Sequence, residues 1–277
     1  MLPRSLTFRV GGPAREVAPP AEIPVASWQP NDGVGAAPVL GWRCGGLAFL
    51  QFPGFARYVF ESGSSTVSGY PFAGASSALL QDVYQRAVLP ILLQDSGTEV
   101  LHASAIDTQA GVVAFAARSG TGKSTLAYEF GERGYGVWAD DALAWDVRDG
   151  EVITFRLPFS LRLSGGRRIR ASTHCTRADS VRRLAAVVVM RRSDGLERLV
   201  HLTRPKDLLP AILPHAYSFS TQERGAGGLL TGHYLDLVTY IPVYELLFNP
   251  GLDHIGDVMD IVASGLRLSP MLGEQIA

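Results

Sequence analysis

The chain has 277 residues, 47% of them apolar and 18% charged, with a formal net charge of −1 at pH 7. That length buries one large core or two modest ones, and the near-neutral balance excludes a global attraction to nucleic acid or to a membrane surface. Two distant cysteines, Cys44 and Cys175, supply neither a CxxC pair nor a disulfide framework, and no apolar run is long enough for a signal core or a membrane span, so a cytoplasmic protein with reduced thiols is expected.

Residues 11–41 are dense in Pro, Gly and Ala, which predicts irregular structure or an extended arm. Residues 47–52, 56–60 and 66–70 read as short strands separated by Gly and Pro. Residues 81–93 then read as a helix bent or capped around Pro90, with Val83, Tyr84, Ala87, Val88 and Ile91 at helical spacing. Residues 1–95 are therefore expected to form a β-rich amino-terminal region without a catalytic constellation.

From residue 96 to the carboxyl end the pattern changes to alternating strands and helices. Residues 99–106 and 111–117 flank a turn and predict an antiparallel hairpin. If Ile106 pairs with Gly111, His102 falls opposite Phe115. The string ARSGTGKST at 117–125 follows the second strand and opens a helix at 124–133. That is the strand, loop and helix order of a phosphate-binding P-loop, in which glycines let backbone N–H groups wrap the phosphates. Ser119, Gly120, Thr121, Gly122, Lys123, Ser124 and Thr125 are the candidate nucleotide contacts. Lys123 is one of only two lysines in the chain, the other being Lys206.

A strand at 135–139 ends in Asp140 and Asp141. Parallel strands joined by a helix carry their carboxyl ends on one edge of the sheet, which brings this acidic pair beside the P-loop. Beyond it, 145–147 and 151–155 predict a hairpin around Asp149 and Gly150, 156–163 and 185–192 strands, and 205–213 a helix with Pro205 in its first turn. Residues 222–232 (QERGAGGLLTG) read as a mobile loop, and 243–248 and 251–266 close the chain as strand and helix. LSGG at 163–166 lies too close to Lys123 for an ABC signature loop and reads as a turn, and the absence of NKxD excludes a guanine-specific GTPase.

LHASAI at 101–106, ARSGTGKST at 117–125 and GYGVWADD at 134–141 occur in that order at close spacing. Together they resemble the catalytic domain of the HPr serine kinase family, whose core is similar to that of ATP-dependent phosphoenolpyruvate carboxykinases. The resemblance implies an α/β fold with a P-loop kinase core over residues 96–277. It further implies transfer of the γ-phosphoryl group from ATP, with Mg²⁺, to a serine hydroxyl. Within the family the chain looks closest to the smaller proteins that modify peptide natural products, including kinases of lasso precursor peptide tails. By this likeness Lys123 neutralises the β- and γ-phosphates, Ser124 and Asp141 hold Mg²⁺, and Asp140, oriented by His102, faces the acceptor hydroxyl. Thr125 stands where the family has Glu, and no glycine-rich segment with a metal-binding Glu follows. Both departures argue against HPr as the acceptor and against phosphorolysis.

Arg162, Arg167 and Arg168 begin an arginine-rich stretch that continues through Arg170, Arg177, Arg182 and Arg183 and carries a single acid, Asp179. If it flanks the site, it would attract an acidic peptide or a terminal carboxylate. It lacks the interleaved aromatics of a nucleic-acid surface. Ring assembly in the family makes a homo-oligomer an expectation. A kinase of a small-molecule hydroxyl and a nucleotide-binding regulator with little turnover are the competing functional classes.

Overall fold

A computed structural model describes residues 7–14, 17–20, 24–28, 37–162, 168–170, 180–217, 226–249, 251 and 253–270. The chain divides into two compact units, Met1–Glu99 with Tyr217–Leu230, and Val100–Ala216 with Thr231–Ala277.

Among the described residues, the first unit carries a sheet of β1 (Thr7–Val10), β2 (Ala26–Trp28), β3 (Val39–Cys44), β4 (Leu47–Phe52), β5 (Ala56–Glu61) and β6 (Thr66–Pro71), in the order β1-β6-β5-β4-β3-β2. Its neighbours are antiparallel except β1 and β6, which pair in parallel from Thr7 with Thr66 to Val10 with Gly69. Alternation buries Ala56, Tyr58 and Phe60 on one face of β5, as a half-covered sheet requires. The expected irregular arm at 11–41 is thus corrected in part, because β2 and the start of β3 fall inside it. The expected helix is two helices, α1 (Ser77–Val83) and α2 (Leu89–Asp95), joined by a π-helical turn over Tyr84–Val88. Pro90 follows this turn inside a continuous run of right-handed helical residues, so the ladder is widened where the proline ring and its missing N–H interrupt it.

The remaining elements are β7 (Glu99–Leu101), β8 (Ala103–Thr108), β9 (Gly111–Ala116), α3 (Lys123–Glu132), β10 (Gly136–Ala139), β11 (Leu143–Arg148), β12 (Glu151–Phe155), β13 (Ser160–Arg162), β14 (Arg168–Arg170), β15 (Val181–Arg192), β16 (Arg198–Leu202), α4 (Pro205–Ile212), α5 (Ala226–Tyr240), β17 (Val243–Phe248) and α6 (Ile255–Leu266). The main sheet runs β10-β8-β9-β15-β12-β11-β7, with β17 paired to β15 and β16 to β17. β15 is parallel to both β9 and β17, whereas β8 is antiparallel to β9 and to β10. β9 and β10 therefore point the same way with β8 between them. Ile106, Val113, Phe115, Val188, Met190 and Leu246 share one sheet face and pack against Leu126 and Phe130 of α3 and Val258, Met259 and Val262 of α6.

Three expectations are corrected here. The single strand at 99–106 is broken at His102, which separates β7 from β8. Of the strand expected at 156–163, Ser160–Arg162 form one, in a short hairpin with β14, whereas 156–159 do not and 163 lies outside the described residues. The loop expected at 222–232 overlaps α5, and the part at 222–225 lies outside the described residues. Glycines at 227, 228 and 232 disguise this helix, but Tyr234, Leu237 and Val238 recur at helical spacing and are buried. Tyr234 also donates to the Val100 carbonyl at 2.8 Å, an anchor whose partner is remote in sequence. Among the described residues no helix is long and apolar enough to cross a membrane.

Candidate active site

β9 is buried along its whole length and ends at Ala116, where the chain turns into the glycine-rich loop. Gly120 and Gly122 carry φ values of 75° and 117°, which side chains with a Cβ rarely adopt, and nothing stands within 4 Å of where a Cβ would be. The loop thus surrounds open space. Gly122 is also the N-cap of α3; no side chain caps that end, and no acid occupies the first turn. The helix's leading N–H groups and its positive dipole end are left for an outside anion.

Lys123 is buried, and its Nζ donates to the carbonyls of Ala117 at 3.0 Å and Arg118 at 3.4 Å. Burial lowers its pKa from the ordinary lysine value, while the carboxylates of Asp141 and then Asp140 oppose that shift. All three charges therefore share one neighbourhood, as the strand order requires.

Ser124 Oγ donates to Oδ1 of Asp140 at 2.7 Å, and Ser104 Oγ donates to the same oxygen at 2.6 Å. Asp140 is 4% exposed, so these hydroxyls replace water around a buried carboxylate. Ser124, expected to share a metal ion with Asp141, donates its hydroxyl to Asp140. Asp141 has φ 64°, and the Ala142 N–H donates across it to the Asp140 carbonyl at 2.8 Å, closing a γ-turn of the rarer, positive-φ form. A non-glycine residue held in this way is strained by of order 1–3 kcal/mol.

The β8–β9 ladder pairs Ile106 with Val113 and ends with Ala103 and Ala116. This corrects the register expected for His102 by two residues, because only Gln109 and Ala110 form the turn. His102 stands one residue beyond the ladder, on the P-loop side, and its backbone N–H donates to the His215 carbonyl at 2.7 Å. Ser104, which with Ser124 anchors Asp140, belongs to the same LHASAI string and carries no motif signature of its own.

His215 follows α4 in a short 3-10 turn, Leu213–His215. Burial, Lys123 and Arg118 together lower its pKa to about 4, so the ring is neutral at pH 7. Arg192, at the end of β15, donates from Nη2 to the Gly120 carbonyl. A cleft of about 780 Å³ opens beside the loop, lined among others by Arg118, Thr121, Met190, Arg192, Lys206 and His215. Sequence reasoning missed Ser104, Arg192 and His215, since a strand serine, a strand-end arginine and a lone histidine carry no pattern.

Of the arginine-rich stretch, Arg167 and Arg177 lie outside the described residues. For Arg162, Arg168 and Arg170 the backbone alone is described, in the β13–β14 hairpin. Arg182 is corrected: it pairs with Asp107 at 2.8 Å and donates to the Thr108 carbonyl, at the sheet edge opposite the P-loop.

The donor set suits phosphate groups with a hard divalent cation. Hydroxyl and carboxylate oxygens are hard ligands, and the glycine cradle with an uncapped helix end suits phosphates. Among the described residues no group of three or more His, Cys, Asp or Glu could hold a metal ion by itself. A Mg²⁺ shared with substrate phosphates needs no such cage.

No family model and no curated protein matches the chain. Among solved structures it is similar to the HPr(Ser) kinase/phosphatase from Coxiella burnetii, with 12% sequence identity and a TM-score of 0.39, over 60% of this chain and 95% of that one.

Proposed function

We propose that the protein is an ATP- and Mg²⁺-dependent phosphotransferase that phosphorylates a serine hydroxyl of a small peptide or protein, a precursor peptide tail being the leading candidate. The observation that carries the reading is the pair of hydrogen bonds from Ser124 and Ser104 to one buried oxygen of Asp140, beside the buried Lys123. A P-loop serine joined to a strand-end aspartate is the arrangement that holds a nucleotide's metal ion. Asp140 and Ser124 are accordingly the metal-holding pair, a reversal of the roles implied by family resemblance.

When bound, Mg²⁺ withdraws charge from the β- and γ-phosphates. Lys123 adds a fixed positive charge in a dry environment, and the open N–H groups of the loop and α3 orient the phosphate oxygens. The acceptor oxygen forms a bond to the γ-phosphorus as the bond to the bridging oxygen breaks, and ADP leaves. Asp141, which faces the same Lys123 charge, takes the hydroxyl proton and later releases it to solvent. In a loose transition state that proton moves late.

Incubation with Mg²⁺, ATP and serine-bearing peptides, followed by mass spectrometry, tests the reading. Phosphate should appear on serine with the wild type and fall at least about 100-fold with Lys123→Ala or Asp140→Asn. Undiminished transfer by Lys123→Ala would refute it.

A further inference from the structure

The cleft beside the P-loop is lined by five cationic side chains, Arg118, Arg191, Arg192, Arg204 and Lys206, and by two carboxylates, Asp207 and Glu245. Both carboxylates are already paired, Arg191 with Glu245 at 2.8 Å and Arg204 with Asp207 at 2.6 Å. Among the described residues Arg118, Arg192 and Lys206 have no carboxylate partner, and Arg192 is turned to the Gly120 carbonyl. His215, neutral at pH 7, adds no charge to the lining. The cleft therefore carries an uncompensated positive charge of three.

Its lining is segregated. Val189 and Met190 are buried, and Leu202, Ala211 and Thr121 are partly buried, whereas all five cations are exposed. A site that engulfs a small molecule encloses most of its ligand. Here an apolar floor lies under an exposed charged rim, so a chain can lie in the cleft and continue outward. The nucleotide phosphates are served by the loop, Lys123 and α3, which leaves Lys206, in the first turn of α4, without a role in holding them.

We propose that this cleft is the acceptor subsite and that it binds an acidic peptide segment, whose carboxylates meet Lys206, Arg118 and Arg192 while its serine reaches the P-loop. The proposal rests on the phosphotransferase reading above and adds the acceptor's chemistry. Opposite charges around a cleft steer the partner and set its register more than they tighten it. Because the cations are exposed and screened by salt, salt should slow association and weaken the complex.

Fluorescence anisotropy with the full chain, Mg²⁺ and a non-hydrolysable ATP analogue provides the test. The probes are a labelled serine octapeptide flanked by glutamates, the same peptide flanked by lysines, and free L-phosphoserine as a small-anion competitor. The acidic peptide should bind and the basic one should not, with affinity falling as salt rises. Lys206→Glu should weaken the acidic peptide about tenfold and leave binding of a fluorescent ATP analogue unchanged. Equal binding of the two peptides would overturn the proposal, as would binding of neither. An equal loss of nucleotide by Lys206→Glu would also overturn it, assigning the cleft to the nucleotide. A wild type that binds no ATP analogue would instead refute the phosphotransferase reading itself.

Discussion

Ser104 and Ser124, contributed by a strand before the P-loop and by the helix after it, donate at 2.6 and 2.7 Å to the same oxygen of Asp140. The antiparallel β8 between β9 and β10 makes this possible, since it carries Ser104 into the gap between the loop and the acidic strand end. Two neutral donors thus hold a buried carboxylate in place before any cation arrives.

Ser104→Ala removes one of those donors from a fully buried position. A hydrogen bond to a charged group contributes about 1.5–3 kcal/mol, so urea unfolding should show a loss of that size. Unchanged stability would mean that Asp140 does not depend on Ser104.

Lys123→Met keeps the length of the side chain and removes a buried ammonium whose pKa burial has lowered. Phosphate transfer should fall at least about 100-fold, while the melting temperature in calorimetry should hold or rise. A large drop in melting temperature would make Lys123 a structural residue.

Asp141 offers a way to separate strain from charge. Asp141→Gly relieves the positive φ and should stabilise the fold by about 1 kcal/mol in urea unfolding, whereas Asp141→Asn keeps the backbone cost and should be nearly neutral. Both should slow transfer, because both remove the proton acceptor. Fast transfer by either variant would refute that role.

His215 links stability to pH. Its folded pKa of about 4 lies below the ordinary 6.5, so between those values the unfolded chain binds more protons. Stability from this residue is complete above pH 6.5, falls as pH drops towards 4, and loses roughly 3 kcal/mol in all. Denaturant titrations should show this slope in the wild type and a flatter one for His215→Asn.

The site was legible in the sequence where a local pattern fixes local geometry. The Asp149 and Gly150 turn, with φ of 51° and 78° between the paired Arg148 and Glu151, follows from two residues. The glycine loop between β9 and α3 does too. What was not legible depends on contacts between distant segments. The His102 register turned on two residues of turn length, and α5 is fixed by burial of Tyr234 and Leu237 against its glycine content. The strand that leads to Asp140 and Asp141 is bulged between Val137 and Ala139, a register shift against β8 that no local pattern announces.

Calorimetric titration of a non-hydrolysable ATP analogue, with and without Mg²⁺, into wild type, Asp140→Asn and Asp141→Asn bears on the assignment at the heart of the site. The expected result is Mg²⁺-enhanced binding that Asp140→Asn abolishes and Asp141→Asn retains. Mg²⁺ enhancement that survives in Asp140→Asn and disappears in Asp141→Asn would contradict it.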